Sequence, residues 1–222
     1  MNVIKVISIG KLSYDELKKI HATAVEKQYS IDSNFGFEII EVGSEHLECQ
    51  FVEKVVNERV YENLDGIEEK IEYVDYYKMQ FILRSNSLFS LCLVDPPRNT
   101  TYGLKMIRSL LASNAKIQTI EFDLAKFFWG SDNGRDVLIR AASIANLKMD
   151  NDILAKVKLI SNSDISEFIQ YKYKKNMGRI DSLTGVVNGV AMEISKLGRL
   201  KVSLEKLDEV LELLEVMNVQ SY

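Results

Sequence analysis

The densest chemistry in the chain lies between Tyr171 and Arg179, YKYKKNMGR, where three lysines, an arginine and two tyrosines fall within nine residues. Cations of this kind neutralise phosphates and release counterions, and tyrosines hydrogen-bond phosphate or stack on bases. Wound into a helix, Lys172, Lys175 and Arg179 stand at i, i+3 and i+7, along one stripe. Tyr171, Tyr173 and Lys174 flank it, and Lys196 and Arg199, with Lys201, extend it if the fold brings the next segment alongside. The alternative for the same residues is a solvated helix face. Arg98, Lys105 and Arg108 form a second, thinner patch.

Other chemistries find little support. The chain has no GxxxxGK[ST] and no GxGxxG, so no phosphate-cradling loop is recognisable, and no Gly-x-Ser-x-Gly. Of its histidines, His21 falls on the first helix and His46 at a turn, and Cys49 and Cys92 stand 43 residues apart, so no metal site and no cofactor are expected. A metal-dependent nuclease can work with acids and a lysine alone. Glu68-Glu69-Lys70 and Glu121-Phe122-Asp123 with Lys126 are the fragments of that type. Asp132, Asp136, Asp150 and Asp152 read as turn residues, with cation binding as the alternative.

The elements that position these residues start from Tyr73 to Leu111. Tyr77, Met79, Phe81 and Leu83 alternate with polar residues, the period of a half-buried strand. Ser85-Asn86-Ser87 is turn chemistry, and Leu88 to Val94 reads as a strand covered on both faces, giving an antiparallel hairpin. Pro96-Pro97 ends it, and Asn99 or Thr100 caps an amphipathic helix through Leu111. Before this lie a strand at Asn2 to Ile9, a helix opened by a Ser13/Glu16 capping box, and strands at Phe37 to Val42 and Leu47 to Val56. Arg59 to Glu72 reads as an acidic connection around Asp65-Gly66. After it, Ile117 to Phe122 is a strand, Val137 to Ala145 helix or strand, and Ile153 to Ile160 a strand. Ser163 caps a helix from Ile165 to about Met177. A glycine-punctuated hairpin leads into Ser203 to Met217, where Leu204, Leu207, Leu211 and Leu214 make an a/d seam. That seam either docks on its own domain or holds a partner.

The expected fold class is therefore α/β of the α+β type, with mostly antiparallel sheets, packed helices and two loosely separated halves. Residues 1–122 form the first half, built on the 77–111 hairpin and helix. Residues 123–222 form the second, with the basic helix, the hairpin and the terminal amphipathic helix.

A net charge of −4 argues against a nucleic-acid coat over the whole surface. Its distribution matters more than its sum. Lys126 to Lys201 holds 13 Lys or Arg against 8 Asp or Glu, while Met1 to Leu111 holds 13 against 17 and Val202 to Tyr222 one against five. A basic middle lies between acidic flanks. Cys49 and Cys92 both sit in strand-like runs and read as buried free thiols. No apolar run approaches the roughly 20 residues needed to span a bilayer, and the N-terminal residues lack a signal-peptide pattern. A cytoplasmic protein without membrane insertion is expected.

The order of elements in Gln80 to Leu111, QFILRSNSLFSLCLVDPPRNTTYGLKMIRSLL, is strand, turn, strand, loop, helix. LECQFVEKVVNERV precedes it, DVLIRAASIANLKMD follows it, and RLKVSLEKLDEVLELL closes the pattern. This arrangement resembles the RexA-like DNA-binding family of phage-exclusion systems, over about Leu47 to Met217. The resemblance implies a two-domain α/β dimer that binds double-stranded DNA without strong sequence preference and acts with a partner protein. It carries no individual functional residue across. The leading expectation is thus a non-catalytic nucleic-acid-binding or sensing component of a bacterial anti-phage defence system. The alternatives are an adaptor subunit docking through its C-terminal helix and a metal-dependent nuclease.

Overall fold

The computed structural model describes residues 1–62, 64–112, 115–125, 137–150, 153–173 and 178–218. In chain order the elements are β1 (Asn2–Ser8), α1 (Tyr14–Glu26), β2 (Phe35–Val42), β3 (His46–Glu62), β4 (Glu68–Arg84), β5 (Leu91–Val94) and α2 (Thr101–Arg108). Then come β6 (Gln118–Thr119), β7 (Val137–Asp150), β8 (Ile153–Ile160), α3 (Ser166–Tyr173), β9 (Arg179–Val187), β10 (Val190–Ser195), β11 (Arg199–Val202), a 3-10 turn at Leu204–Lys206 and α4 (Leu207–Asn218). Among the described residues strand accounts for 51% and helix for 21%, so they form mostly antiparallel sheet with few helices. Among the described residues no helix is long and apolar enough to cross a membrane.

The chain forms two compact units, Ile9–Ile117 and a second made of Met1–Ser8 with Gln118–Tyr222. The first strand belongs with the C-terminal half because β1 pairs antiparallel with β11, Asn2 against Val202 through Lys5 against Arg199.

In the unit Ile9–Ile117 the strands run β2-β3-β4-β5, each antiparallel to its neighbour. The hairpin read from alternation is present as β4 and β5, with Gln80 opposite Val94 and Leu83 opposite Leu91. Phe37, Phe51 and Phe81 meet at centroid distances of 5.5 and 6.1 Å, Phe81 edge-on to Phe37, and all three are fully buried. On α1 the capping box forms, Ser13 N–H donating to Glu16 Oε2 at 2.8 Å and Glu16 N–H to Ser13 Oγ at 3.2 Å. Leu17, Ile20 and Ala24 are its buried face. At α2, Asn99 Oδ1 accepts the Thr101 N–H, whereas Thr100 makes no side-chain cap.

Arg59 to Glu72 is not a connection. It belongs to β3 and β4, which stay in register for 17 residues from His46 opposite Arg84 to Glu62 opposite Glu68. The turn between them has Gly66 at φ +76°, a region glycine enters without strain.

The second unit carries the sheet β1-β11-β10-β9-β7-β8, with the short β6 paired to the end of β1 at Ile7 and Ser8. Val137 to Ala145, ambiguous in the sequence, is strand, bonded to β8 on one side and β9 on the other. Asn188 and Gly189 join β9 to β10 with φ of 49° and 81°, the positive angles that a two-residue hairpin turn with the sheet's twist requires. One row crosses the sheet as Leu159, Ala142, Leu183, Ile194, Leu200 and Ile4. Apart from half-buried Leu159, each member is at most 2% exposed, so this face is the core face. Asp164, rather than Ser163, organises the start of α3. Its Oδ1 accepts from the backbone N–H groups of Ile139 and Ser166 and from the Ser166 hydroxyl. Together with the Ile165 N–H bond to the Ile139 carbonyl, this fastens α3 to β7.

Candidate nucleic-acid interface

Side chains alternate between the two faces of a strand, so the neighbours of the core row point outward. The adjacent row reads Lys158, Ser143, Ser182 and Ser195 across β8, β7, β9 and β10. It continues through Arg199, whose N–H donates to Ser195 Oγ at 3.1 Å, to Lys5 opposite Arg199 on β1. Three cations and three hydroxyls therefore lie in one line. Lys158 and Arg199 are exposed, and Lys5 and the serines half-exposed. Among the described residues none of these three cations has an ion-pair partner.

Arg179, Lys156 and Lys201 border the row on the same face. An irregularity in the β7–β9 register between Ser143 and Ile144 leaves Asp181 as the extra residue of β9, outward beside Ser182. Asp181 takes Arg179 Nε at 2.8 Å on Oδ1 and Lys156 Nζ at 3.3 Å on Oδ2. Partial burial pushes the Asp181 carboxyl up. The hydrogen bonds and charges of Arg179 and Lys156 outweigh that and hold it below the usual carboxylate range. Lys201 stands 3.8 Å from Glu193. The row and its borders thus carry six cations, Lys5, Lys156, Lys158, Arg179, Arg199 and Lys201, against the carboxylates of Asp181 and Glu193. They offer charge and hydrogen-bond donors.

The residues expected from sequence divide as follows. Arg179 opens β9, Lys196 lies between β10 and β11, and Arg199 opens β11. Arg179 and Lys196 line one cleft of about 350 Å³ with Glu121, Phe122, Asp123 and Ile180, where Lys196 Nζ is 3.1 Å from Glu121 Oε2. Tyr171 stands out from α3 at 94% exposure. The backbones of Lys172 and Tyr173 end α3, while their side chains, and Lys174 and Lys175 altogether, lie outside the described residues, as do Lys126, Asp132, Asp136 and Asp152. Leu207, Leu211 and Leu214 are at most 2% exposed, and Leu204 is 38% exposed in the 3-10 turn.

Of the acid-and-lysine fragments, Glu68 and Glu69 fall on opposite faces of β4, Lys70 pairs with Glu58, and Tyr61 donates to Glu69. Buried Phe122 separates Glu121 from Asp123. No group of three metal-capable side chains occurs among the described residues.

Sequence reasoning missed Lys5, Lys156, Lys158 and the three serines. The signal for the β8 pair was present: Lys156 and Lys158 alternate with Ala155, Val157 and Leu159, which places both lysines on one face. For Lys5, only the register of β1 against β11 supplies its neighbours.

A scan against protein-family models finds no match for this chain, and a search of curated proteins finds no similar sequence.

Proposed function

We propose that the chain is a non-catalytic nucleic-acid-binding component that holds a phosphate backbone on the outward face of the β1-β11-β10-β9-β7-β8 sheet. The observation that carries this reading is the row Lys158, Ser143, Ser182, Ser195, Arg199 and Lys5. Five steps between strands at about 4.8 Å make the row about 24 Å long. At a rise of about 3.4 Å per base pair, that spans about seven base pairs of duplex. Cations and hydroxyls of this kind bind phosphate without reading base edges, so recognition is by backbone and independent of sequence. Double-stranded DNA is the favoured ligand. The resemblance to the RexA-like family supports the wider assignment, a sensing component of a phage-defence system acting in the cytoplasm with a protein partner. In the finer view of the fold, the chain is an α+β protein that presents this sheet face to the ligand.

The test is fluorescence anisotropy of a labelled duplex of about 20 base pairs, longer than the row, titrated with the chain at low salt. Saturable binding of unrelated sequences with similar affinity is expected. Absence of binding at low salt overturns the proposal.

A further inference from the structure

The cleft beside the row has walls of two kinds. Phe122, Leu124 and Ile180, each at most 4% exposed, form its apolar lining. Among the described residues its charged lining is Glu121, Asp123, Arg179 and Lys196, two carboxylates against two cations. Charges that cancel in this way do not suit a bare phosphate. They suit a flat, neutral group with donors and acceptors around its edge. Lys196 Nζ lies 3.1 Å from Glu121 Oε2, a donor and an acceptor side by side. The pairing edge of every nucleobase carries the complement, an acceptor next to a donor.

Backbone bonds hold these walls in place. Phe122 N–H donates to the Lys196 carbonyl and Lys196 N–H to the Asp181 carbonyl, both at 2.8 Å. Asp123 Oδ1 accepts from the Ala125 N–H at 3.2 Å. The cleft volume of about 350 Å³ stands at the lower end of small-molecule sites, so it takes one base with its sugar and little more.

Its position matters as much as its lining. Lys196 directly follows Ser195 of the row, and Ile180 precedes Ser182 by two residues, about 7 Å along β9. Arg179, another lining residue, is bonded to Asp181 beside Ser182. The cleft therefore flanks the row at β9 and β10, its middle strands, and not at either end. A duplex laid along the row passes the cleft in mid-course. A base reaches it by swinging out of the stack.

We propose that the cleft receives a nucleobase that has left the duplex, so that the chain senses unpaired bases; this rests on the phosphate-backbone reading of the row. Glu121 accepts a base N–H, Lys196 donates to the neighbouring base acceptor, and the apolar lining excludes water. Extruding a paired base costs its pairing and stacking, and an unpaired base is the easiest to extrude. Affinity is therefore highest for a duplex that carries an unpaired base.

The test is fluorescence anisotropy at low salt with three labelled duplexes of about 20 base pairs. One is fully paired, one carries a single unpaired nucleotide at its centre, and one carries an abasic residue at that place. The unpaired-base duplex is expected to bind about tenfold or more tighter than both others. Glu121→Ala with Lys196→Ala leaves the net charge unchanged and should bring the ratio close to one, while binding of the paired duplex reports that the variant is folded. Equal affinity for the three duplexes overturns the proposal and leaves the row reading standing. So does equal preference for the abasic duplex, which reads flexibility alone, or a preference that survives the double change. Failure to bind any duplex overturns both readings.

Discussion

Replacing Asp181 with asparagine changes the charge of the outward face without removing a cation. In the wild-type chain Asp181 holds both Arg179 and Lys156, leaving Lys5, Lys158 and Arg199 as the unpaired cations of the row. Three phosphate contacts give a slope of log K against log[salt] of about −2.7 for duplex DNA. Affinity then falls about 40-fold between 50 and 200 mM salt. Asp181→Asn releases Arg179 and Lys156, and five contacts steepen the slope to about −4.5, a fall of about 500-fold over the same range. The assay is anisotropy of a labelled duplex at several KCl concentrations, with circular dichroism as the check on folding. Tighter binding at low salt with a steeper slope is expected. An unchanged slope, or weaker binding by a folded variant, refutes the reasoning. Acid acts on the same group. The Asp181 pKa is lowered in the fold, so its contribution is complete above about pH 3.9, the ordinary carboxylate value, and is lost as pH falls through the lower native value.

Further outcomes are expected elsewhere in the chain. Cys49 is fully buried, and burial, with the Glu48 charge, pushes its thiol up to about 12. Thiol reagents should therefore leave it unmodified in the native protein near neutral pH and label it after denaturation. Because the native value is raised, its stabilising contribution is complete below about pH 8.5 and declines as pH rises toward 12, which alkaline unfolding curves of Cys49→Ala against wild type will report. Gly185→Ala places a Cβ 2.2 Å from the Leu138 carbonyl oxygen, so β7 and β9 must part. A loss of at least about 1–3 kcal/mol in denaturant unfolding is expected. Asp164→Ala removes an acceptor shared by Ile139 and Ser166, and should cost about 1–3 kcal/mol. Ser163→Ala, at the cap position expected from sequence, should cost less in the same unfolding assay.

Elements with one wet and one dry face were legible in the sequence. The β4–β5 hairpin and α1 announced themselves because burial on one side alone imposes a period of 2 or 3.6 on apolar residues. The outer half of β3 and β4 escaped for the same reason. From Lys54 to Tyr76 both faces of the two strands are open, so Val60, Tyr61, Ile67 and Ile71 follow no single alternation and Arg59 to Glu72 read as a connection. β7 was ambiguous because its small residues, Ala141, Ala142, Ser143 and Ala145, suit helix and strand alike, and pairing with β8 and β9 decided the matter. The basic character of the second half was legible, whereas its focus was not. Attention fell on Tyr171 to Arg179 because those charges are contiguous. The sheet instead assembles Lys5, Lys158 and Arg199 from three strands, and no local pattern records a register between opposite ends of the chain.

The most direct measurement compares duplex-DNA affinity at low salt for the wild-type chain, the row variant Lys158→Glu with Arg199→Glu, and the helix variant Lys172→Glu with Lys174→Glu. Each variant reverses two charges, so net charge is matched. The row variant is expected to lose binding about 30-fold or more, with a salt slope flatter by about 1.8, because two of three phosphate contacts are gone. The helix variant should retain most of its affinity. Equal loss in both variants, or loss confined to the helix variant, contradicts the assignment of phosphate binding to the sheet face.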